Sequence, residues 1–259
     1  MNQKKLQREE EIAKTQVLVL AGGKAKRMGI DFPKCLLEVS GKRLIDRCIE
    51  SLTRDGFRRF VFLLGYMHEP VMQHIGDGSR YGIESKYSID PTTDLGLGKG
   101  KAIKYALQSN RIDRSSRSIV VFPDDLILEN DVYSRFLMSH LGAVRSYKVL
   151  ASSVLVPGTE YPYGVAKVDS NGMIVKFTEK PIISKPTSIG IYALEPRVYE
   201  IIEEKVHLEE AGAVELESSI LPLLAREHRL FGFFIARNKW LPVNTLKEYE
   251  QATKVLLVK

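Results

Sequence analysis

The sequence predicts an α/β fold with a mixed, mostly parallel sheet and helices on both faces. Three observations lead there. Apolar runs alternate with amphipathic segments at helical spacing, in the order β-α-β-α-β, over the first half. The runs Val17-Leu18-Val19-Leu20, Phe60-Val61-Phe62-Leu63-Leu64 and Ser118-Ile119-Val120-Val121-Phe122 are almost purely apolar, as buried parallel strands are. Glycine or aspartate follows the first and third runs after one intervening residue, in Ala21-Gly22-Gly23 and Pro123-Asp124-Asp125. In open α/β sheets ligands bind beyond the carboxyl ends of the strands.

Each further element has its own signal. Residues 43–55 place Leu44, Ile45, Cys48 and Leu52 on one helical face, with Gly56 as the stop. A helical stretch at 69–75 follows the second strand, then a short strand at 83–87. Residues 99–108 align Ala102, Ile103, Ala106 and Leu107 as another helix. Strands are expected at 149–156 and 164–168, with Ser170-Asn171-Gly172 as a hairpin turn and 173–178 as the return strand. A strand at 189–194, helices at 196–204 and 216–227, a strand at 231–235 and a closing helix at 246–257 complete the pattern. No internal repeat or low-complexity linker divides the chain, so one domain with a substrate-binding lobe in its second half is expected.

Composition sets the class. The chain has 259 residues, 44% hydrophobic and 27% charged, as soluble globular proteins do. No apolar run approaches the ~18 residues of a membrane span. Residues 1–14 form a charged extension without the apolar core of a secretory signal. The two cysteines, Cys35 and Cys48, read as reduced thiols of a cytoplasmic protein. The net charge of +6 is modest, and no basic tract interleaved with aromatics appears. A small anionic substrate is therefore expected, rather than nucleic acid or a membrane.

The chemistry gathers behind the first strand. Lys24, Lys26, Arg27 and Lys34 follow the Gly22-Gly23 turn, and exposed amides plus clustered cations suit a polyphosphate. Neither common phosphate loop fits. A dinucleotide fingerprint from Gly22 would need glycine where Lys24 and Arg27 stand, and no Gly-Lys step is followed by Ser or Thr. Asp124 and Asp125 offer hard oxygens for Mg²⁺ at a strand end, or else an Asx turn. Glu179-Lys180-Pro181 suits a second phosphate and a polyol, or a plain charged turn. Gly96-Leu97-Gly98-Lys99-Gly100-Lys101 permits close approach to a ring or phosphate, or is a flexible loop. Asn244 could offer a carbonyl oxygen to a metal, and Thr245 an N-cap. The five histidines lack metal-ligand spacing.

Taken in order, these motifs resemble the sugar-phosphate nucleotidyltransferase family, which includes glucose-1-phosphate thymidylyl- and uridylyltransferases and mannose-1-phosphate guanylyltransferases. The resemblance rests on Leu20-Ala21-Gly22-Gly23-x-x-x-Arg27-Met28 with Pro33-Lys34, on Pro123-Asp124, and on Tyr163-Gly164-Val165 with Glu179-Lys180-Pro181. Gly190-Ile191-Tyr192 and Val243-Asn244-Thr245 complete it. It implies a Rossmann-like three-layer αβα domain of GT-A-like form over 15–259, with a nucleotide-binding half at about 15–130 and a sugar-binding half at about 131–259. It implies Mg²⁺-dependent transfer of a nucleoside monophosphate from an NTP to a sugar 1-phosphate, in a protein that could form homo-oligomers. Arg27, Lys34, Asp124 and Lys180 would be catalytic. Leu20, Ala21, Gly22, Gly23, Lys24, Gly98 and Asp124 would bind the nucleotide, and Gly164, Glu179, Lys180 and Ser188 the sugar phosphate. Asp124 and Asn244 would hold the metal.

The chain departs from the family pattern at several positions. Ala25 and Lys26 replace a frequent Gly-Thr pair, and Pro123 replaces a glycine. Lys99 stands where a small hydroxyl residue is common, and Ser188 stands where an asparagine is common. Pro242 stands where a second metal aspartate is frequent. Two other readings stay open. One is a GT-A-type glycosyltransferase; the other is a non-catalytic regulatory protein that binds nucleotide sugars.

Overall fold

The computed structural model describes residues 3–23, 29, 31–65, 67–91 and 97–257. In chain order the first half runs α1 (Gln3–Lys14), β1 (Gln16–Leu20), β2 (Glu38–Val39), β3 (Lys42–Arg43), α2 (Leu44–Arg54), β4 (Arg59–Leu64), α3 (His68–Ile75), β5 (Glu84–Ile89), α4 (Gly98–Gln108) and β6 (Ser118–Val121). The second half runs β7 (Asp125–Ile127), α5 (Val132–Tyr147), β8 (Ala151–Val156), β9 (Thr159–Glu160), β10 (Val165–Val168), β11 (Ile174–Thr178), β12 (Ile182–Ile183), β13 (Thr187–Leu194), α6 (Pro196–Lys205), α7 (Leu216–Arg226), β14 (Leu230–Phe234), β15 (Trp240–Pro242) and α8 (Leu246–Leu257).

Among the described residues, seven strands form the central sheet in the order β14-β8-β13-β6-β1-β4-β5. β1 pairs in parallel with β4 and β6, β4 with β5, and β8 with β14; β13 runs antiparallel between β6 and β8. The expected mixed, mostly parallel sheet is therefore present, and its two faces explain the unbroken apolar runs. Val17, Val19, Phe60, Phe62, Ile119 and Val121 face one core, which α2, α3 and α5 cover. Leu18, Val61, Leu63 and Val120 face the other, which α4, α6 and α7 cover. Successive residues of a strand point to opposite faces, so a strand covered on both sides must be apolar throughout.

A smaller core joins Val39, Leu44, Leu126, Leu241, Val243 and Ala252. It packs β2, β7, β15 and α8 together, and so holds the end of the chain against the turn after β6.

The charged extension forms α1, which docks on the body. Ile12 is buried, Arg8 donates to Ser134 Oγ on α5, and Glu11 pairs with Arg117 at 2.5 Å. No sequence expectation covered α5. Its stripe of Tyr133, Phe136, Leu137 and Leu141 is broken by Ser134 and His140, which are buried but hydrogen-bonded. By contrast, both strands of the β10–β11 hairpin are exposed along their whole length.

Candidate active site

The site is built at the carboxyl ends of β1 and β6. Leu20 ends β1, and the Ala21 amide continues the ladder by donating to Leu63 O at 3.0 Å. A Cβ added at Gly22 would lie 3.0 Å from the Gly65 amide nitrogen, so the backbones beyond β1 and β4 close up in a way a side chain would block. Gly23 O accepts from the Lys34 amide at 3.2 Å, which ties the first loop to a 3₁₀ turn at Lys34–Leu36. Lys24 and Arg27 lie outside the described residues.

That turn carries the Lys34 side chain into the site. Its Nζ donates to Asp124 Oδ2 and, at 2.8 Å, to Asn244 Oδ1. Asp124 occupies the turn between β6 and β7. Asn244 arrives from the far end of the chain because β15 pairs antiparallel with β7, Pro242 opposite Asp125, and the Val243 amide donates to Asp124 O at 2.9 Å. Glu248 then fixes residue 244: its Oε2 accepts from the Asn244 amide at 2.8 Å and the Thr245 amide at 2.9 Å, while Thr245 Oγ1 accepts from the Glu248 amide at 3.3 Å. This is a capping box, and the Thr245-x-x-Glu248 spacing that announces it was readable in the sequence.

Asp125 engages a different partner. Its Oδ1 accepts from Trp240 Nε1 at 2.8 Å, and a Cβ added at Gly190 would lie 3.1 Å from its Oδ2. Burial, then the charge of Asp124, pushes the Asp125 carboxyl up to about 8. Trp240 had no assigned role in the sequence; nothing there signals that its indole anchors the second aspartate. The Cys35 thiol, beside Lys34, is pushed up to about 12 by burial, so it is no nucleophile at neutral pH.

The second group of expected residues sits apart, on the exposed hairpin. Glu179 and Lys180 follow β11, with Lys180 Nζ 3.9 Å from Glu179 Oε1. A Cβ added at Gly164 would lie 3.1 Å from Glu179 Oε2 and closer still to the Phe177 ring. Gly164 and Glu179 are thus neighbours. Among the described residues no hydrogen bond or ion pair joins this group to Lys34 or Asp124. Ser188, on β13, exchanges a hydrogen bond with Ser153 at 2.9 Å and donates to Tyr192 OH at 3.5 Å.

Gly98 begins α4 against the 206–215 segment. Gly100 N donates to Val214 O at 2.8 Å, and Val214 N to Leu97 O at 3.0 Å. A Cβ at Gly98 would meet Val214 O at 2.6 Å, so packing alone gives a reason for glycine there. Lys99 Nζ donates to Glu217 Oε1 at 2.9 Å and lies 5.2 Å from the centre of the Phe122 ring. Burial would lower its pKa, but Glu217 and Glu215 outweigh it and hold the ammonium above its ordinary value.

At the carboxyl edge of an α/β sheet, a strand-end glycine turn thus lies beside a lysine and the two side-chain oxygens it joins. The chain belongs to the nucleotidyl transferase family, whose model matches residues 16–258. It is 24% identical over 254 residues to a UTP--glucose-1-phosphate uridylyltransferase of Synechocystis, covering 93% of this chain and 63% of the relative. It is 24% identical over 241 residues to a mannose-1-phosphate guanylyltransferase catalytic subunit beta of Drosophila pseudoobscura pseudoobscura, covering 91% and 60%. The chain thus spans less than two thirds of these relatives. In fold it resembles the crystal structure of HddC from Yersinia pseudotuberculosis, at 22% identity, TM-score 0.67, and coverage of 93% of this chain and 99% of that one. A second HddC structure, complexed with GMP-PN, matches with TM-score 0.64, 22% identity and the same coverage.

Proposed function

We propose that this chain transfers a nucleoside monophosphate from an NTP to a sugar 1-phosphate, releasing pyrophosphate. The observation that carries the reading is the meeting of Lys34, Asp124 and Asn244 beside the Gly22-Gly23 turn, in a chain of this family. A sugar-phosphate oxygen would attack the α-phosphorus, forming one P–O bond as the bond to the bridging β-phosphate oxygen breaks. No side chain need act as nucleophile. The protein must align two anions and cancel their repulsion.

Lys34 supplies positive charge where the triphosphate would lie, with Arg27 expected to join it from the same loop. Lys180 would hold the sugar phosphate, and Glu179 with the Gly164 backbone the sugar hydroxyls. The oxygens of Asp124 and Asn244 fit Mg²⁺: both are hard donors, and they already converge on one cation, the Lys34 ammonium. Among the described residues no three acidic, histidine or cysteine side chains are placed to hold a metal ion together, so substrate phosphate and water would complete the coordination. Bound there, Mg²⁺ would neutralise charge developing on the phosphoryl oxygens.

Pro242 in place of a second aspartate favours the non-catalytic reading; the placement of Asn244 beside Asp124 favours catalysis. Among the described residues no helix is long and apolar enough to cross a membrane. The buried reduced thiols Cys35 and Cys48 suit a cytoplasmic enzyme. The test is pyrophosphate release on pairing each common NTP with a set of sugar 1-phosphates in Mg²⁺. Release with one pair is expected. Binding of nucleotide without release by any pair would overturn the reading in favour of a regulatory protein.

A further inference from the structure

We infer that Lys34 and the divalent metal compete for the same two oxygens, so that the metal enters the site only together with the triphosphate. The inference rests on the function proposed above, and it concerns the order in which charges are exchanged. The Lys34 ammonium donates to both Asp124 Oδ2 and Asn244 Oδ1, the two atoms best placed to ligate Mg²⁺. A metal bound to them would sit within a few ångströms of a positive charge. Lys34 and Asp124 are 15% and 20% exposed, so solvent screens that repulsion poorly.

The charge balance sharpens the conflict. Asp124 brings one negative charge and Lys34 one positive, while Asn244 is neutral where another carboxylate would have tipped the balance toward the metal. Glu248 is close in sequence, but its Oε2 is engaged by the Asn244 and Thr245 amides. Mg²⁺ dehydrates reluctantly and needs strongly negative ligands to do so. One carboxylate already shared with an ammonium is a poor offer. A triphosphate changes both sides of the exchange. It gives the ammonium anionic oxygens to move to, and it brings further ligands for the metal. Lys34 therefore holds the metal's place and keeps Asp124 and Asn244 in register until nucleotide arrives.

The test is Mn²⁺ binding followed by electron paramagnetic resonance, with and without α,β-methylene analogues of the common ribonucleoside triphosphates. Without nucleotide, the native chain should bind Mn²⁺ weakly. Lys34→Ala should bind it at least about tenfold more tightly, since a unit charge about 4 Å from a divalent ion is felt to that extent even at the dielectric of bulk water, about 80. Lys34→Gln keeps the length of the side chain and should shift the same way if the alanine variant folds poorly. Asn244→Asp should also tighten binding, by adding a carboxylate. If neither Lys34 variant binds more tightly, while Asp124→Asn still abolishes nucleotide-dependent Mn²⁺ binding, the competition is refuted and the metal assignment stands. If Asp124→Asn leaves nucleotide-dependent Mn²⁺ binding intact, the metal assignment itself falls, and this inference with it.

Discussion

Asp124 and Asp125 are adjacent in sequence and opposite in circumstance, and the difference fixes what each substitution should do. Asp124 meets Lys34 at the open end of the sheet, whereas Asp125 is turned inward onto Trp240. Asp124→Asn is expected to remove Mg²⁺-dependent turnover. Asp125→Asn should do far less, because Asp125 is turned onto the Trp240 indole and an amide oxygen can accept the same hydrogen bond. Steady-state kinetics on both variants decide this, and equal losses would refute it. Lys34→Ala should lower kcat ~10²–10³-fold, as loss of a group that meets developing charge does, with thermal melting little changed. Lys180 is half-exposed and bonded to nothing but Glu179 among the described residues. Lys180→Ala should raise KM for the sugar phosphate by the equivalent of ~1.5–3 kcal/mol, the range for hydrogen bonds to charged groups, and leave NTP binding by calorimetry nearly unchanged. At this scale Lys34 and Asp124 were legible because strand ends are where α/β sheets bind ligands. That Asn244 would reach them came from family resemblance, and neither spacing nor periodicity could show it: the two residues are 120 positions apart. The burial that separates Asp125 from Asp124 had no sequence signal at all.

Single elements show where pattern succeeds and where it fails. The strands buried on both faces were readable as apolar runs, α2 and α4 as 3.6-residue stripes, the first stopped by Gly56, and α8 as a helix behind a threonine cap. β7 and β15 were not, because each is only three residues long and exists through pairing with the other. α5 was hidden by the polar residues that it buries and satisfies. β13 holds a feature no periodicity reports. Its pairing with β8 shifts register between Ser188 and Tyr192, and Gly190 within the irregularity has a φ of +84°. This bulge brings the backbone so close to Phe122 and Asp125 that an added Cβ would meet both at 3.1 Å. Gly190→Ala should therefore destabilise the protein by about 1–3 kcal/mol, the usual strain of a disfavoured backbone region. It should also lower turnover, since Asp125 and Asp124 share one turn. Urea denaturation measures the first and pyrophosphate release the second; a variant as stable and active as the native chain would show that the strand accommodates the methyl freely.

At the scale of the whole molecule, one polar network binds distant parts of the chain beneath the sheet. Arg117 pairs with Glu11 of α1 at 2.5 Å and with Glu195 before α6 at 2.9 Å, and Glu195 also meets the fully buried His140 of α5 at 3.1 Å. Burial pushes the Glu195 carboxyl up, but hydrogen bonds from His140 and Arg117 outweigh it and hold its pKa below the ordinary value. A depressed carboxylate stabilises the fold above its unfolded pKa of about 4.3. That contribution is lost as pH falls through the lower folded value, so the melting temperature should drop between about pH 5 and 3. Arg117→Ala should remove about 2–3 kcal/mol at pH 7, as expected for charge-assisted hydrogen bonds, and flatten the acid dependence; an unchanged acid profile would place the acid-sensitive groups elsewhere. The antiparallel strand β13 has a further consequence, for a chain still being made. β6 ends at residue 121, but its neighbour on one side is β13, which begins at residue 187. A nascent chain holding only the first half therefore presents an apolar strand with one free edge, the kind that recruits other chains. Asp124 meanwhile waits for Asn244, made 120 residues later, before its surroundings are complete. Such non-local closure is slow. A fragment ending at residue 130 should accordingly aggregate on release from the ribosome, and one extended past 244 should stay soluble, an outcome that sedimentation of truncated translation products would reveal.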